Sequence, residues 1–198
     1  MRVAIALSAT GGPWGDFVTY VQEAERLGAT LCFVAEAWGT DAVSPLAYLA
    51  AKTERILLAS GIMQISARTP VTTAQTALTL ATLSGNRFIL GLGVSGPQVV
   101  EGLHGVPFAH PLGRTRETIH IIRLACAGEP IVYQGKHYVL PRPGGEGKAL
   151  RLNLPRTPHC PFIWRRWLPG CSNSLVSSPM AGLAPVLSRS TPPSSRNV

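Results

Sequence analysis

The chain has 198 residues, of which 45% are hydrophobic and 14% charged, enough apolar content for the core of one ordinary domain. Its net charge of +8 is uneven, because residues 1–146 hold eleven basic and all ten acidic residues, whereas residues 147–198 hold seven basic residues and no acid. The basicity therefore belongs to the end of the chain, which argues against a nucleic-acid partner, and no apolar stretch approaches the roughly 20 residues of a membrane span.

Strand-like and helix-like segments alternate along the first part of the chain. In order, the patterns predict a strand at Val3–Leu7, a helix from a cap at Asp16 to about Leu27, a strand at Leu31–Ala35, a helix from a cap at Ser44 to about Thr53, a strand at Ile56–Ile65, a helix at Pro70–Leu83, a strand at Phe88–Leu92, a helix from about Arg114 to Ala127 and a hairpin over Pro130–Leu140.

This alternation predicts an α/β fold with a parallel sheet. Four such βα units are about half of a (β/α)₈ TIM-type barrel, whose usual size is about 250 residues. We therefore expect a partial barrel of four units over residues 1–158, with the hairpin as an insertion.

The segment after the fourth strand is the most informative about function. Phe88–Gly93 is apolar throughout, as in a strand buried on both faces, and it leads into Gly93-Val94-Ser95-Gly96-Pro97. Two positions without side chains and one hydroxyl let backbone N–H groups approach a flat ring or an anionic group.

Four parts of the sequence together resemble the luciferase-like monooxygenase superfamily, in particular its branch that uses coenzyme F420, a 5-deazaflavin. They are the block just described, Val34–Ala42, Gly61–Ile65 with Arg68-Thr69-Pro70, and Arg114–Glu117. The resemblance covers about residues 1–158. It implies an oxidoreductase that transfers a hydride between F420 and an organic substrate; an FMN-dependent monooxygenase is the alternative. It also implies small-molecule partners and a homodimer of the full-length protein.

The resemblance implies a site at the carboxyl ends of the strands, with a non-proline cis peptide at Gly61–Ile62 behind the coenzyme ring. It leaves the catalytic residues unknown, makes Glu36 a supporting carboxylate, and places the coenzyme's phosphate arm largely on loops of the family's second half. The expected coenzyme-binding residues are Trp38, Asp41, Gly61, Ile62, Gly93, Val94, Ser95, Gly96 and Pro97.

The cysteines and histidines indicate no metal site, because the cysteines form no Cys-x-x-Cys pair and no histidine lies at metal-ligand spacing from them. Buried free thiols are expected at Cys32 and Cys126, which fits a cytoplasmic protein.

From His159 onward the composition changes, with eight Ser, six Pro and no acid in forty residues. This pattern is typical of a disordered tail. It is also compatible with a shift of the reading frame near His159, because the neighbouring frame can encode Leu-Pro-Ile-Tyr-Leu-Ala-Ala-Leu-Ala, a good barrel strand. Residues 159–198 are accordingly separated as an irregular or frameshift-derived tail. On that hypothesis, the chain is a truncated, inactive and poorly soluble fragment.

Overall fold

The computed structural model describes residues 3–7, 12–154 and 162–164. The elements are β1 (Val3–Leu7), α1 (Trp14–Arg26), β2 (Ala29–Val34), α2 (Val43–Lys52), β3 (Leu57–Ser60), β4 (Met63–Gln64), α3 (Pro70–Leu83), β5 (Phe88–Gly93), α4 (Pro97–Val100), α5 (Pro111–Ala127), β6 (Tyr133–Gln134), β7 (Val139–Leu140) and β8 (Phe162–Trp164).

The main sheet is parallel and confirms the predicted α/β fold. Strands β1, β2, β3 and β5 are neighbours in that order, and β4 continues the path of β3 along the same side of β5. Strand β8 pairs with the other side of β5, also in parallel. Because helices α1 to α3 connect consecutive strands, the arrangement is that of consecutive βα units, as at the start of a (β/α)₈ barrel.

The large hydrophobic core lies between the sheet and the helices. It joins strand residues such as Leu58 and Leu92 to Leu46 of α2 and Ile121 of α5, all of which are almost completely buried. The opposite face of the sheet carries a second, smaller cluster around Leu31, Ala59 and Ile89. We call this second side the inner face. Strand residues therefore alternate between the helix-covered face and the inner face.

Two predicted helix caps are wrong. Helix α1 begins at Trp14, because Pro13 precedes it in an extended conformation that leads directly into the first turn, and Asp16 lies within that turn. Helix α2 begins at Val43, and its first turn is capped by the Asp41 carboxylate, which accepts the Ser44 backbone N–H at 2.8 Å. The helices themselves are confirmed.

The predicted hairpin is confirmed, with β6 and β7 antiparallel. Its turn is held against α5 by Glu117, whose carboxylate accepts the backbone N–H groups of Lys136, His137 and Tyr138 at 2.9–3.0 Å. Burial raises the pKa of Glu117, but these three hydrogen bonds outweigh it, so that the pKa lies below its ordinary value. The short helix α4 was not predicted.

Strand β8 corrects the prediction that residues 159–198 are irregular, because Phe162–Trp164 form a parallel strand. Without it the backbone groups along that side of β5 would form an unpaired sheet edge. The predictions for the remainder of that tail, including Cys160 and Cys171, fall on positions outside the described residues. Within the described part of the chain, no helix is both long and apolar enough to cross a membrane.

Candidate functional site

The carboxyl ends of three parallel strands meet at one edge of the sheet. Val34, at the end of β2, is the register partner of Ser60 at the end of β3, and Gln64 of β4 is the partner of Gly93 at the end of β5. All nine residues predicted to bind a coenzyme lie at the ends of these strands or in the segments that follow them, Gly93 being the last residue of β5 and Pro97 the first of α4. In parallel α/β folds this edge is the usual position of ligands.

Gly61–Ile62 separates β3 from β4 and is a non-proline cis peptide, which confirms the predicted interruption at this position. The Gly61 N–H donates to the Val34 carbonyl at 2.7 Å, so the interrupted segment stays bonded to β2. A Cβ atom at Gly61 would lie 3.1 Å from the Cβ of Phe33, which leaves little space for a side chain. Both residues are half-buried.

Gly91 lies on β5, the strand that pairs with β3 and β4, next to the same interruption. A Cβ atom at this position would lie 2.0 Å from the Ser60 carbonyl oxygen, an impossible contact. The Ser60 hydroxyl, fully buried, donates to the Gly91 carbonyl at 2.9 Å and accepts the Gly91 N–H at 2.8 Å. A side chain thus replaces the ladder hydrogen bonds where the strand changes direction.

The exit of β5 presents mainly backbone to the edge. Gly93 is buried and has no side chain, while the Val94 side chain packs into the core beneath the helices. Ser95 has a φ of +58°, an uncommon conformation for a residue other than glycine. Gly96 then precedes α4, which begins with an exposed Pro97.

The loop after β2 contributes two exposed residues. Trp38 is 80% exposed, the largest exposed fraction among the large apolar side chains of the described residues. Asp41 is also exposed, and one of its carboxylate oxygens is engaged by α2, as described above. The structure thus brings the Trp38–Asp41 loop to the same edge as the other predicted residues.

Glu36 and Arg68 form a buried ion pair behind this edge. The guanidinium donates to both carboxylate oxygens, at 2.7 and 2.8 Å. Glu36 also accepts the backbone N–H groups of Ala42 and Gln64, at 3.2 and 3.1 Å. One carboxylate therefore fixes the loop after β2, the start of α2 and the end of β4 relative to one another, which agrees with a supporting role.

The electrostatics of Arg68 follow from the same contact. The hydrogen bonds to Glu36 raise the pKa of Arg68, burial opposes them, and the charges of Glu36 and Asp41 add to the increase. Arg68 is thus held in its charged form and is not suited to exchange protons with a substrate.

Gln64 is a polar residue at this edge that was missing from the predicted site. It is 1% exposed, and its side-chain Nε2 donates to the Ala37 carbonyl at 3.3 Å. Its Oε1 atom is buried and has no hydrogen-bond partner in the structure. The one signal in the sequence is a long polar side chain inside an otherwise apolar run, Ile62-Met63-Gln64-Ile65.

A cavity of about 20 Å³ lies behind the exit of β5, lined mainly by apolar residues together with Ser66 and Arg114. This volume accommodates a single water molecule. The buried Ser66 hydroxyl has no hydrogen-bond partner in the structure, so a water here would satisfy it. The cavity is part of the packing between the sheet and α5 rather than a substrate pocket.

Within the described residues, no three His, Cys, Asp or Glu side chains are grouped closely enough to hold a metal ion. The rings of His110 and His137 lie 5.4 Å apart, and His110 directly precedes α5. Cys32 and Cys126 are buried and free of disulfides, as expected.

Comparison with known proteins places this edge in context. The model of the luciferase-like monooxygenase family matches residues 1–164. A Mycobacterium tuberculosis protein assigned as a coenzyme F420-dependent oxidoreductase is 48% identical over 161 residues, covering 76% of this chain and 46% of that protein. The 5,10-methylenetetrahydromethanopterin reductase of Archaeoglobus fulgidus is 33% identical over 59% of this chain and 35% of its own length. The chain thus spans about half or less of these curated relatives.

Solved structures share the fold. The F420-dependent tetrahydromethanopterin reductase of Methanopyrus kandleri superposes with a TM-score of 0.69 at 23% identity, covering 82% of this chain and 49% of that one. The oxygenating constituent of 3,6-diketocamphane monooxygenase from Pseudomonas putida, in complex with FMN, gives a TM-score of 0.62 at 16% identity, covering 70% and 44%.

Proposed function

The chain belongs to the luciferase-like monooxygenase family, and from this premise we propose that its function is hydride transfer between coenzyme F420 and an organic small-molecule substrate. The observation that carries the proposal is the 48% identity to a Mycobacterium tuberculosis protein assigned to the F420-dependent oxidoreductases. The similar methanopterin reductase is a second reason to favour an oxidoreductase.

The residues present at the strand ends fit a flat heterocycle. Gly61, Gly93 and Gly96 have no side chain, and the Val94 side chain packs into the core, so this edge presents mainly backbone. Gln64 contributes a buried acceptor that lacks a donor. We assign the ring to this edge, with Trp38 and Asp41 on the loop beside it.

A bound deazaflavin supplies the chemistry, which is acceptance or donation of a hydride at its central ring carbon. The chain's own residues have to position the ring and exclude water. The buried pair Glu36–Arg68 serves this purpose as a scaffold, since its charges compensate each other and it holds the surrounding backbone N–H groups in place.

FMN is the alternative coenzyme. The same fold occurs in a protein crystallised with FMN, and a flavin shares the pyrimidinedione edge and the flat shape of a deazaflavin. The residues of this edge therefore favour a ring of this type, and the choice of F420 rests on the sequence relatives.

A second candidate is a fragment that does not function by itself. It is favoured by the coverage, because the chain spans 46% of the Mycobacterium tuberculosis relative. On this hypothesis, residues 159–198 derive from a shifted reading frame, and coenzyme binding requires the remainder of the barrel. Sequencing the coding DNA through the codon of His159 tests the frame directly.

Fluorescence titration of the purified chain with F420 and with FMN tests the proposed function. The expected result is saturable binding with a preference for F420, followed by substrate-dependent oxidation or reduction of the bound coenzyme when small alcohols and ketones are screened. Tighter binding of FMN would overturn the choice of coenzyme. Failure to bind either ring, in the chain and in a version with the frame restored, would overturn the function.

A further inference from the structure

Gln64 carries an unsatisfied hydrogen-bond acceptor in a position that requires explanation. Its side chain is 1% exposed, yet Oε1 has no partner. A buried polar atom without a hydrogen bond destabilises the folded state, so native proteins retain few of them. The same side chain is not free to move, because Nε2 is bonded to the Ala37 carbonyl and the residue's backbone N–H is bonded to Glu36.

The register of the sheet places Gln64 on the inner face. Met63 and its partner Leu92 both belong to the core beneath the helices. Successive residues of a strand point to opposite faces, so Gln64 and its partner Gly93 lie on the other side, with the Leu31–Ala59–Ile89 cluster. Gly93 contributes no side chain there. The acceptor therefore lies beside the backbone edge assigned to the ring.

We propose that Gln64 positions the coenzyme, its Oε1 accepting a hydrogen bond from the N3–H of the pyrimidinedione edge of the bound ring. This inference rests on the proposed function and adds a residue to it. The N3–H is a hydrogen-bond donor in both deazaflavins and flavins. In the free protein the Gln64 Oε1 atom has no donor, and the bound ring would supply one. The orphaned oxygen of the free protein and the donor of the ring are complementary.

Anchoring of the amide nitrogen and of the backbone N–H is what makes the residue suitable for positioning. The Nε2–Ala37 hydrogen bond fixes the orientation of the amide, so that Oε1 rather than Nε2 is the atom left to accept a hydrogen bond. Because the Glu36–Arg68 pair also holds the Gln64 backbone, the acceptor is in place before the ring arrives. Preorganisation of this kind reduces the loss of conformational freedom on binding.

The test is a binding cycle that combines a change in the protein with a change in the ligand. The ligands are 5-deazariboflavin and its N3-methyl derivative, titrated into the full 198-residue chain up to millimolar concentration and followed by NMR. The variant is Gln64→Met, which keeps the length of the side chain and removes the acceptor. The matched control is Gln22→Met, on the exposed face of α1 and remote from the strand ends.

The unchanged protein and the control should bind 5-deazariboflavin about tenfold more tightly than its N3-methyl derivative, and Gln64→Met should bind the two within about twofold. The ligand-free Gln64→Met variant should keep the melting temperature of the unchanged protein, since it loses an unsatisfied acceptor together with one long hydrogen bond. A merely structural role for Gln64 would instead lower the melting temperature and leave the N3-methyl effect intact.

The possible failures are distinguishable. An N3-methyl effect of equal size in the unchanged protein and in Gln64→Met would overturn this inference while leaving the proposed function in place. No binding of either ring by the unchanged protein would overturn the inference for this chain, and the proposed function falls with it only if a version with the frame restored also binds neither ring. A Gln64→Met variant that no longer folds would also contradict the inference, because the residue would then be required by the fold itself.

Discussion

The hydroxyl of Ser60 and the backbone of Gly91 hold each other by two hydrogen bonds, one in each direction, at 2.9 and 2.8 Å. They do so where β3 ends and the chain passes through Gly61–Ile62 before β4 begins. The contact spans 31 positions in the sequence. It lets the strand path break at the candidate site without leaving backbone groups of β5 unsatisfied.

Replacing Ser60 by alanine should therefore destabilise the protein by about 1–3 kcal/mol, because a buried N–H and a buried carbonyl lose their partner. Gly91→Ala should cost more, since the new Cβ cannot coexist with the Ser60 carbonyl 2.0 Å away. Denaturant unfolding measures both. Ser44→Ala, on an exposed side chain, serves as the control and should stay within about 0.5 kcal/mol. A Gly91→Ala variant of unchanged stability would contradict the contact.

Glu36→Gln should lower the free energy of unfolding by about 3 kcal/mol, because it leaves the Arg68 charge without compensation in a site where that side chain is only 18% exposed. Arg68→Met should be costly for the same reason. The double variant should cost less than the sum of the two single changes. Strict additivity in denaturant unfolding would show that the pair is not energetically coupled.

Glu25 gives a prediction about acid stability. Its carboxylate accepts the backbone N–H groups of Glu54, Arg55 and Ile56. Burial raises the pKa of Glu25, but the three hydrogen bonds together lower it by more, so the pKa in the folded protein lies below the ordinary value of 4.5. The stabilisation is therefore fully present above about pH 4.5 and is lost as the pH falls through the folded pKa.

The difference in unfolding free energy between the unchanged protein and Glu25→Gln should accordingly be largest near neutral pH and shrink below pH 4.5. Urea unfolding at several pH values measures it. Glu129→Gln is the control, since that exposed carboxylate follows the last turn of α5 and is remote from Glu25 in the chain. A difference that stays constant down to pH 3 would argue against the hydrogen-bonded carboxylate.

Cys32 should be inert in the folded protein. It is completely buried, and burial raises the pKa of its thiol to about 12, so almost no thiolate exists near neutral pH. A thiol reagent at pH 8 should modify Cys32 only after denaturant is added, as peptide mapping by mass spectrometry can show. Rapid labelling of Cys32 in the native protein would indicate that β2 opens readily.

The ring of F420 should account for nearly all of the affinity of this chain for the coenzyme. The family resemblance places the phosphate arm of the coenzyme largely on the second half of the family's barrel, beyond residues 1–158. F420 and 5-deazariboflavin should therefore bind with affinities within about threefold of each other, whereas charge-assisted hydrogen bonds to the arm would add about 1.5–3 kcal/mol each. Fluorescence titration compares the two. A thirtyfold advantage for F420 would mean that this chain already holds the arm.

Much of the architecture could be read from the sequence. Helix Pro70–Leu83 was predicted with its observed bounds, because a proline at its start and Ser84-Gly85-Asn86 at its end define it locally. The interruption at Gly61–Ile62 was predicted from the resemblance alone. The starts of α1 and α2 were misplaced, because several neighbouring polar residues could each act as a cap and only the folded geometry selects among them.

The sequence by itself determined which segments are strands and helices, since hydrophobic periodicity and turn residues act over a few positions. Only the tertiary structure decided which side chains meet at the strand ends, because these contacts join residues about thirty positions apart. Glu36 forms an ion pair with Arg68, and the Ser60 hydroxyl bonds to the backbone of Gly91. The buried Oε1 atom of Gln64 has no hydrogen-bond partner among the described residues. Register and alternation fix such pairings, and they exist only once the strands lie side by side.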